Sequence, residues 1–159
     1  MSPQRNTELR HLVGAAIALG AESIPAVSKA EADLARAVEP IPPDRATLGE
    51  LREAIEVGLD PLGEEFCRIY SSEERRASGA TFTPEKIINA MVGWATGGPL
   101  IDRIIDPGSG SARFATAAGR AMPKATGRAG ERDPRAALLS RANLGTRGMQ
   151  KRAVVEVGD

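Results

Sequence analysis

The stretch Asp106-Pro107-Gly108-Ser109-Gly110-Ser111-Ala112-Arg113-Phe114, DPGSGSARF, decides how this chain is read. It follows the isoleucine-rich segment 101–106, a short strand, and leads into alanine-rich sequence that predicts a helix to about Ala121. A strand, a glycine turn and a helix in that order belong to an open α/β sheet, where ligands bind at the carboxyl ends of the strands. Gly108 and Gly110 remove Cβ atoms where a ligand would touch the backbone. The following helix turns its free N–H groups and positive dipole end to the same place, which suits a carboxylate or phosphate. A phosphate-cradling G-x-x-x-x-G-K-[ST] loop is excluded because the lysine is missing. A dinucleotide G-x-G-x-x-G turn fits poorly, because Arg113 stands sixth when counted from Gly108.

Working outward, residues 5–38 read as two helices broken near Ser23-Ile24-Pro25, and Pro40, Pro42 and Pro43 form a stiff linker. Leu9, Leu12, Val13, Ala16 and Ile17 share one helical face, so this apolar segment reads as a buried helix and not as a signal peptide. Thr47 with Glu50 predicts a capping box for a helix to about Gly58, with Leu48, Leu51, Ile55 and Leu59 as its apolar stripe. Asp60-Pro61 predicts the next helix start, with Leu62, Phe66, Ile69 and Tyr70 buried; Glu73 to Arg76 read as its solvated end. Thr83-Pro84 begins a helix whose apolar positions are Ile87, Ile88, Met91, Val92 and Ala95, and Gly97-Gly98-Pro99 stops it. Residues 125–131 form a weak strand, Asp133-Pro134 starts a helix to about Leu144, and Ala153 to Val157 is a buried strand. The order predicts an α/β fold: a partial, Rossmann-like sheet of three parallel strands, preceded by a helical N-terminal extension. A sheet of this kind usually has more strands, so the chain is expected to be a fragment or to be completed by something else.

The 159 residues carry no net charge, but residues 1–78 hold 9 Lys/Arg against 14 Asp/Glu, and residues 79–159 hold 12 against 7. The basic half suits an anionic partner such as nucleic acid; two complementary surfaces packed on each other explain the asymmetry equally well. One cysteine, Cys67, and one histidine, His11, exclude a disulfide framework and a multi-cysteine metal site, and remove most His-based catalysis. Cys67 reads as a buried structural thiol. No metal site, no membrane span and a cytoplasmic location are expected.

Three acids end the three strands. Asp106 would repel a pyrophosphate but can accept from a cationic amine; Glu131 can accept from both hydroxyls of a ribose; Asp159 can accept from an adenine amino group. One acid for an ammonium, one for a ribose and one for an amine describe S-adenosylmethionine (S-adenosyl-L-methionine) better than a dinucleotide. The alternative is three carboxylates that cap helices or face water.

The segment from about Leu62 to Asp159 resembles the amino-terminal half of the catalytic domain in adenine-specific (N6) DNA methyltransferases of restriction–modification systems, class I enzymes dependent on S-adenosylmethionine. The family pattern R-x-x-G-x-[FY]-[YF]-T-P reads here Arg75-Arg76-Ala77-Ser78-Gly79-Ala80-Thr81-Phe82-Thr83-Pro84. The resemblance implies that Thr81, Phe82, Thr83 and Pro84 lie against the methionine part of the cofactor. The pattern D-P-A-C-G-S-G-x-F is matched by DPGSGSARF, with Gly108 for Ala, Ser109 for Cys and Ala112 for the last Gly. This implies cofactor contacts at Asp106, Pro107, Gly108, Ser109, Gly110 and Phe114, with the Ala112 methyl close to the cofactor. The pattern G-x-E-x-D-P, then a helix ending N-L, is matched by Gly130-Glu131-Arg132-Asp133-Pro134 and Asn143-Leu144. It implies Glu131 on the ribose and Arg132 where an apolar residue usually packs on the adenine. Val157-Gly158-Asp159 looks like the strand end at the adenine edge.

The resemblance divides the chain into a helical extension, residues 1–60, and the amino-terminal half of a methyltransferase domain, residues 61–159. The family methylates amino groups with a [DNS]-P-P-[YFW] motif after the fourth strand, acting on a base flipped out of DNA. The only Pro-Pro here, Ile41-Pro42-Pro43-Asp44, precedes the cofactor motifs, so no catalytic residue is assigned. The resemblance thus implies a complete protein that acts on DNA, with a partner chain or a missing C-terminal half completing the sheet, and a chain inactive alone. Two other readings stay open: a non-catalytic remnant or partner-binding module, and a methyltransferase acting on a substrate other than DNA.

Overall fold

The computed structural model describes residues 2–77 and 82–158. Helices α1 (Pro3–Ala18), α2 (Lys29–Val38), α3 (Arg45–Val57), α4 (Pro61–Ile69), α5 (Ser72–Ala77) and α6 (Glu85–Thr96) precede the alternating unit β1 (Arg103–Asp106), α7 (Arg113–Ala121), β2 (Thr126–Glu131), α8 (Pro134–Thr146) and β3 (Ala153–Val157). The strands are parallel in the order β1-β2-β3, with Asp106 beside Ala129 and Ala129 beside Val155. This is the expected α/β architecture: a partial Rossmann-like sheet behind a helical N-terminal part. Among the described residues no helix is long and apolar enough to cross a membrane.

Local chemistry sets the element ends. Ser28 and Glu31 form a reciprocal capping box on α2, with Glu31 N donating to Ser28 Oγ at 3.2 Å and Ser28 N donating to Glu31 Oε2 at 2.8 Å. Asp60 and Asp133 cap α4 and α8, each followed by proline in the first turn, where the missing N–H has no intrahelical partner to lose. The cap of α3 corrects the expectation for Thr47. Asp44 fills that role, its Oδ1 accepting from Ala46 N and Thr47 N at 2.9 Å each, and Thr47 lies inside the helix. A carboxylate that accepts two N–H groups at a positive helix end outcompetes a hydroxyl. Residues 72–77 form a separate short helix because Tyr70 is already extended.

Helix α8 joins two apolar clusters. Leu138, Leu139 and Ala142 pack with Leu9, Leu12, Val13, Ile55, Leu62 and Phe66 of α1, α3 and α4. Ala137 and Leu144 pack with Ala115 of α7, Ala129 of β2 and Val155 of β3. Gly14 permits backbone contact between α1 and the proline linker: a Cβ there would stand 2.1 Å from the Ile41 carbonyl oxygen. Arg141 on α8 is completely buried against the completely buried Glu31 of α2, with Nε to Oε1 at 2.5 Å. Its Nη groups also donate to the carbonyls of Ile24, Pro25, Ala26 and Val155 at 2.7–3.0 Å. Every nitrogen of that guanidinium is bonded, which an ion pair this deep requires. This pair, with Asp60–Arg113, joins the acidic front of the sequence to its basic back.

The other flank departs from expectation. Of the apolar positions on α6, only Ile88 is buried; Ile87 and Met91 are exposed, as is Trp94 at 84%. Leu59 on the α3 stripe is exposed too, because the helix ends at Val57. Leu100 is fully exposed and Ile105 of β1 is 72% exposed. Strand β1 pairs only with β2, so its outer backbone edge is open among the described residues. Side chains alternate between sheet faces. Asp106, Ala129, Glu131 and Val155 share the face packed by α7 and α8; Ile105, Arg128 and Glu156 share the opposite face and are exposed.

Candidate functional site

The carboxyl ends of β1 and β2 bring the first two acids to one face of the sheet, Asp106 beside Ala129 and Glu131 two residues further along β2. The glycine turn between β1 and α7 is fastened to the end of β2. Ser109 N donates to the Gly130 carbonyl at 2.9 Å, and Gly110 N donates to Glu131 Oε2 at 2.8 Å. Glu131 Oε1 accepts from Asp133 N at 2.9 Å. The buried Glu131 carboxylate is thus held by two backbone N–H groups, one from each turn, and keeps lone pairs for further donors. Gly110 has φ +54°, a left-handed backbone that favours glycine. Ala112 has φ 69° without that freedom, and its side chain is entirely buried in the sheet–helix cluster. The Ala112 methyl therefore faces the core, which corrects the expectation that it approaches a cofactor.

Asp106 is the unusual group. Its Oδ2 is cut off from solvent and has no hydrogen-bond partner among the described residues. Burial pushes its carboxyl above the usual carboxylate range, with a smaller push from Glu131; the N–H groups of Gly108 and Ala115 act in the opposite direction. Pro107 and Gly108 beside it are exposed, and a Cβ on Gly108 would meet nothing within 4 Å. The turn thus has open space at Gly108, two residues along the chain from a carboxylate whose Oδ2 lacks a donor.

Phe82 and Thr83 reach the same turn. A Cβ on Gly110 would lie 3.9 Å from the Phe82 ring. Phe82 packs 5.9 Å from the Phe66 ring, and the Arg113 guanidinium lies 5.3 Å from its centroid. The Thr83 carbonyl faces Arg113 Nη1 at 3.5 Å, and Pro84 is the residue before α6. Thr81 and Asp159 lie outside the described residues. Ser109 turns its side chain away from the open side: it is buried, with Oγ 3.5 Å from Ser140 Oγ on α8, so only its backbone borders the turn. Phe114 is half-buried, and Arg132 is exposed at the start of α8 beside Asp133 and Pro134.

Sequence reasoning missed the support behind the turn. Asp60 Oδ2 accepts from Ser111 Oγ at 2.5 Å and Arg113 Nε at 2.6 Å, and its Oδ1 accepts from Gly63 N and Asn143 Nδ2 at 2.9 Å each. Asn143 Nδ2 also donates to the Ser111 carbonyl at 2.8 Å. One carboxylate thus fixes the glycine turn, the start of α7 and the end of α8 to the start of α4. Asp60 was legible only as a helix cap, and Asn143 only as part of a motif; their meeting is a tertiary event.

Compared with known proteins, 111 residues of this chain, 69% of its length, are 45% identical to Type II methyltransferase M.XamI from Xanthomonas campestris pv. amaranthicola. The chain spans 19% of that protein's length. No family model matches the chain, and no solved structure matches it. The match bears out the resemblance to a restriction–modification methyltransferase.

Proposed function

We propose that this chain, a relative of a Type II methyltransferase, is the part of a DNA adenine-N6 methyltransferase that binds S-adenosylmethionine. Asp106 takes the ammonium of the methionine moiety, Glu131 takes the ribose hydroxyls, and Asp159 takes the adenine amino group. Phe82, Thr83 and Pro84, with Thr81 before them, border the methionine part. When bound, the cofactor supplies an electrophilic methyl group on a sulfonium.

The residues present fit that group. The observation that carries the reading is the buried, unpartnered Oδ2 of Asp106 at the start of the turn whose Gly108 borders open space. A buried carboxylate oxygen without a donor is costly unless a ligand supplies one, and an ammonium supplies it with charge. Glu131 is preorganised by its two backbone bonds and accepts hydroxyl donors without leaving them. Protons at this site stay on the ligand's donors, since both acids serve as acceptors.

In the whole protein the substrate is DNA, and the methyl group goes to the exocyclic nitrogen of adenine. The residues that would hold that amine are absent here: Pro42-Pro43 lies against α1 and the start of α3, among His11, Thr47 and Leu51. We therefore assign no catalytic residue to this chain and expect no methylation from it alone. The open edge of β1 and the exposed Ile87, Met91, Trp94, Leu100 and Ile105 are where a partner chain or a further part of the protein would complete the sheet.

Calorimetric titration with S-adenosylmethionine tests the reading. Saturable binding, weakened about tenfold or more in Asp106→Asn and Glu131→Gln, is the expected outcome. Absence of binding in a chain shown by circular dichroism to be folded would leave a partner-binding module as the function.

A further inference from the structure

A second recess lies on the far side of α7 from the sheet. It has a volume of about 130 Å³ and is bounded by the α3–α4 turn, α6, α7 and the end of α8. Arg120 from the end of α7 and Arg147 from the end of α8 converge on it at Gly58. A Cβ on Gly58 would stand 3.2 Å from Arg120 Nη1 and 4.0 Å from Arg147 Nη2. Neither guanidinium has a carboxylate within 4.0 Å among the described residues. Arg147 Nη2 has only a 3.5 Å approach to the Leu59 carbonyl, and its Nε is cut off from solvent with no partner. Burial, and then repulsion from Arg120, push the Arg147 guanidinium pKa down.

None of the acids around the recess touches these guanidiniums, and Asp60 offsets the Arg147 charge only from a distance. Asp60 is taken by its four donors. Glu85 accepts from Asn89 at 3.3 Å, and Glu64 is exposed. The carbonyl end of α3 offers only a partial negative charge. Two guanidiniums brought together without a carboxylate, one of them part-buried with an Nε that lacks an acceptor, form an incomplete arrangement, because a cation drawn out of water is ordinarily paired.

We propose that this recess is an oxyanion site in which one phosphate group bridges Arg120 and Arg147. A phosphate presents several acceptor oxygens and matches the planar fork of arginine, so one group can take donors from both side chains. The recess has room for a group the size of phosphate. Free inorganic phosphate and the terminal phosphate of a nucleic acid strand present the same chemistry. Neither Asp106 nor Glu131 lines the recess, so binding in it is tested apart from cofactor binding at the strand ends.

The test is a titration of the full chain with inorganic phosphate, read by thermal shift and by calorimetry, with ionic strength held constant by chloride. Saturable millimolar-range binding is expected, weakened about tenfold in Arg120→Gln, an exposed position where the change leaves the fold intact. Arg147→Gln should weaken it at least as much. Absence of saturable binding, or full retention in Arg120→Gln, overturns the proposal. A 5′-phosphorylated oligonucleotide that binds through Arg120 more tightly than its unphosphorylated copy identifies a strand end as the source; equal binding of the two, with phosphate still bound, identifies the free anion. Titration of the same variant with S-adenosylmethionine should be unchanged, which separates this failure from failure of the cofactor site.

Discussion

The two flanks of β2 are finished to different degrees. On one, α8 and β3 close against α2 so tightly that an arginine and a glutamate sit at zero exposure with every guanidinium nitrogen bonded. On the other, β1 and α6 leave a tryptophan, a leucine and three further large apolar residues in water. Both flanks are built from the same alternation of strand and helix, so the pattern alone does not determine closure. A helix closes a flank only when a second element meets its outer face. Helix α8 has α1, α2 and α4 on that side; α6 has no such neighbour among the described residues. The candidate cofactor turn lies where the closed flank meets the open one.

Five substitutions test that contrast. Glu31→Ala should cost most, about 3–5 kcal/mol in urea unfolding, since it strands a buried guanidinium. A loss below about 1 kcal/mol would mean the carbonyl acceptors alone hold Arg141 and the closed flank is less dependent on its ion pair than described. Asp60→Ala, at the junction, should cost about 2–3 kcal/mol by leaving Ser111, Arg113 and Asn143 without their acceptor, and should also weaken binding at the turn.

Asp106→Asn should act in the opposite direction. Removing a buried, poorly partnered carboxylate should raise stability by about 1 kcal/mol at neutral pH while weakening S-adenosylmethionine binding. The pH dependence has a definite sign. The folded pKa of Asp106 lies above its unfolded value, so the native state holds the proton more tightly. The resulting stability is fully present below the ordinary carboxylate range and is lost as pH rises through the folded pKa. Comparing unfolding of Asp106→Asn with the parent chain across that window should show this component missing. The smallest effect is expected at the open flank: Trp94→Gln and Ile105→Thr should each change stability by less than about 0.5 kcal/mol while reducing binding of an apolar dye. A large loss from either would show that this surface is already covered.

Most of the scaffold was legible because its signals are local. Asp60-Pro61 and Asp133-Pro134 announce helix starts by cap chemistry, and both caps are present. The strands and the glycine turn follow from isoleucine, valine and glycine placement. At the site, the approach of Phe82 to the turn followed from motif order, but the missing donor at Asp106 Oδ2 and the inward faces of Ser109 and Ala112 did not. Side-chain direction in a turn depends on one or two dihedrals, and no residue pattern encodes them. The α6 stripe failed for another reason. Periodicity identifies which face is apolar but not whether anything covers it.

The pairing of Glu31 with Arg141 also has a consequence in time. The two residues are 110 positions apart. At about 5–20 residues per second of synthesis, Glu31 waits about 5–20 s for its partner to be made. Throughout that interval α2 can form but cannot be sealed, and the apolar face of α1 has no α8 to cover it. The N-terminal helices of this chain are therefore a unit that chaperones would meet during translation, and their protection against proteolysis should appear only once residues beyond Arg141 have emerged.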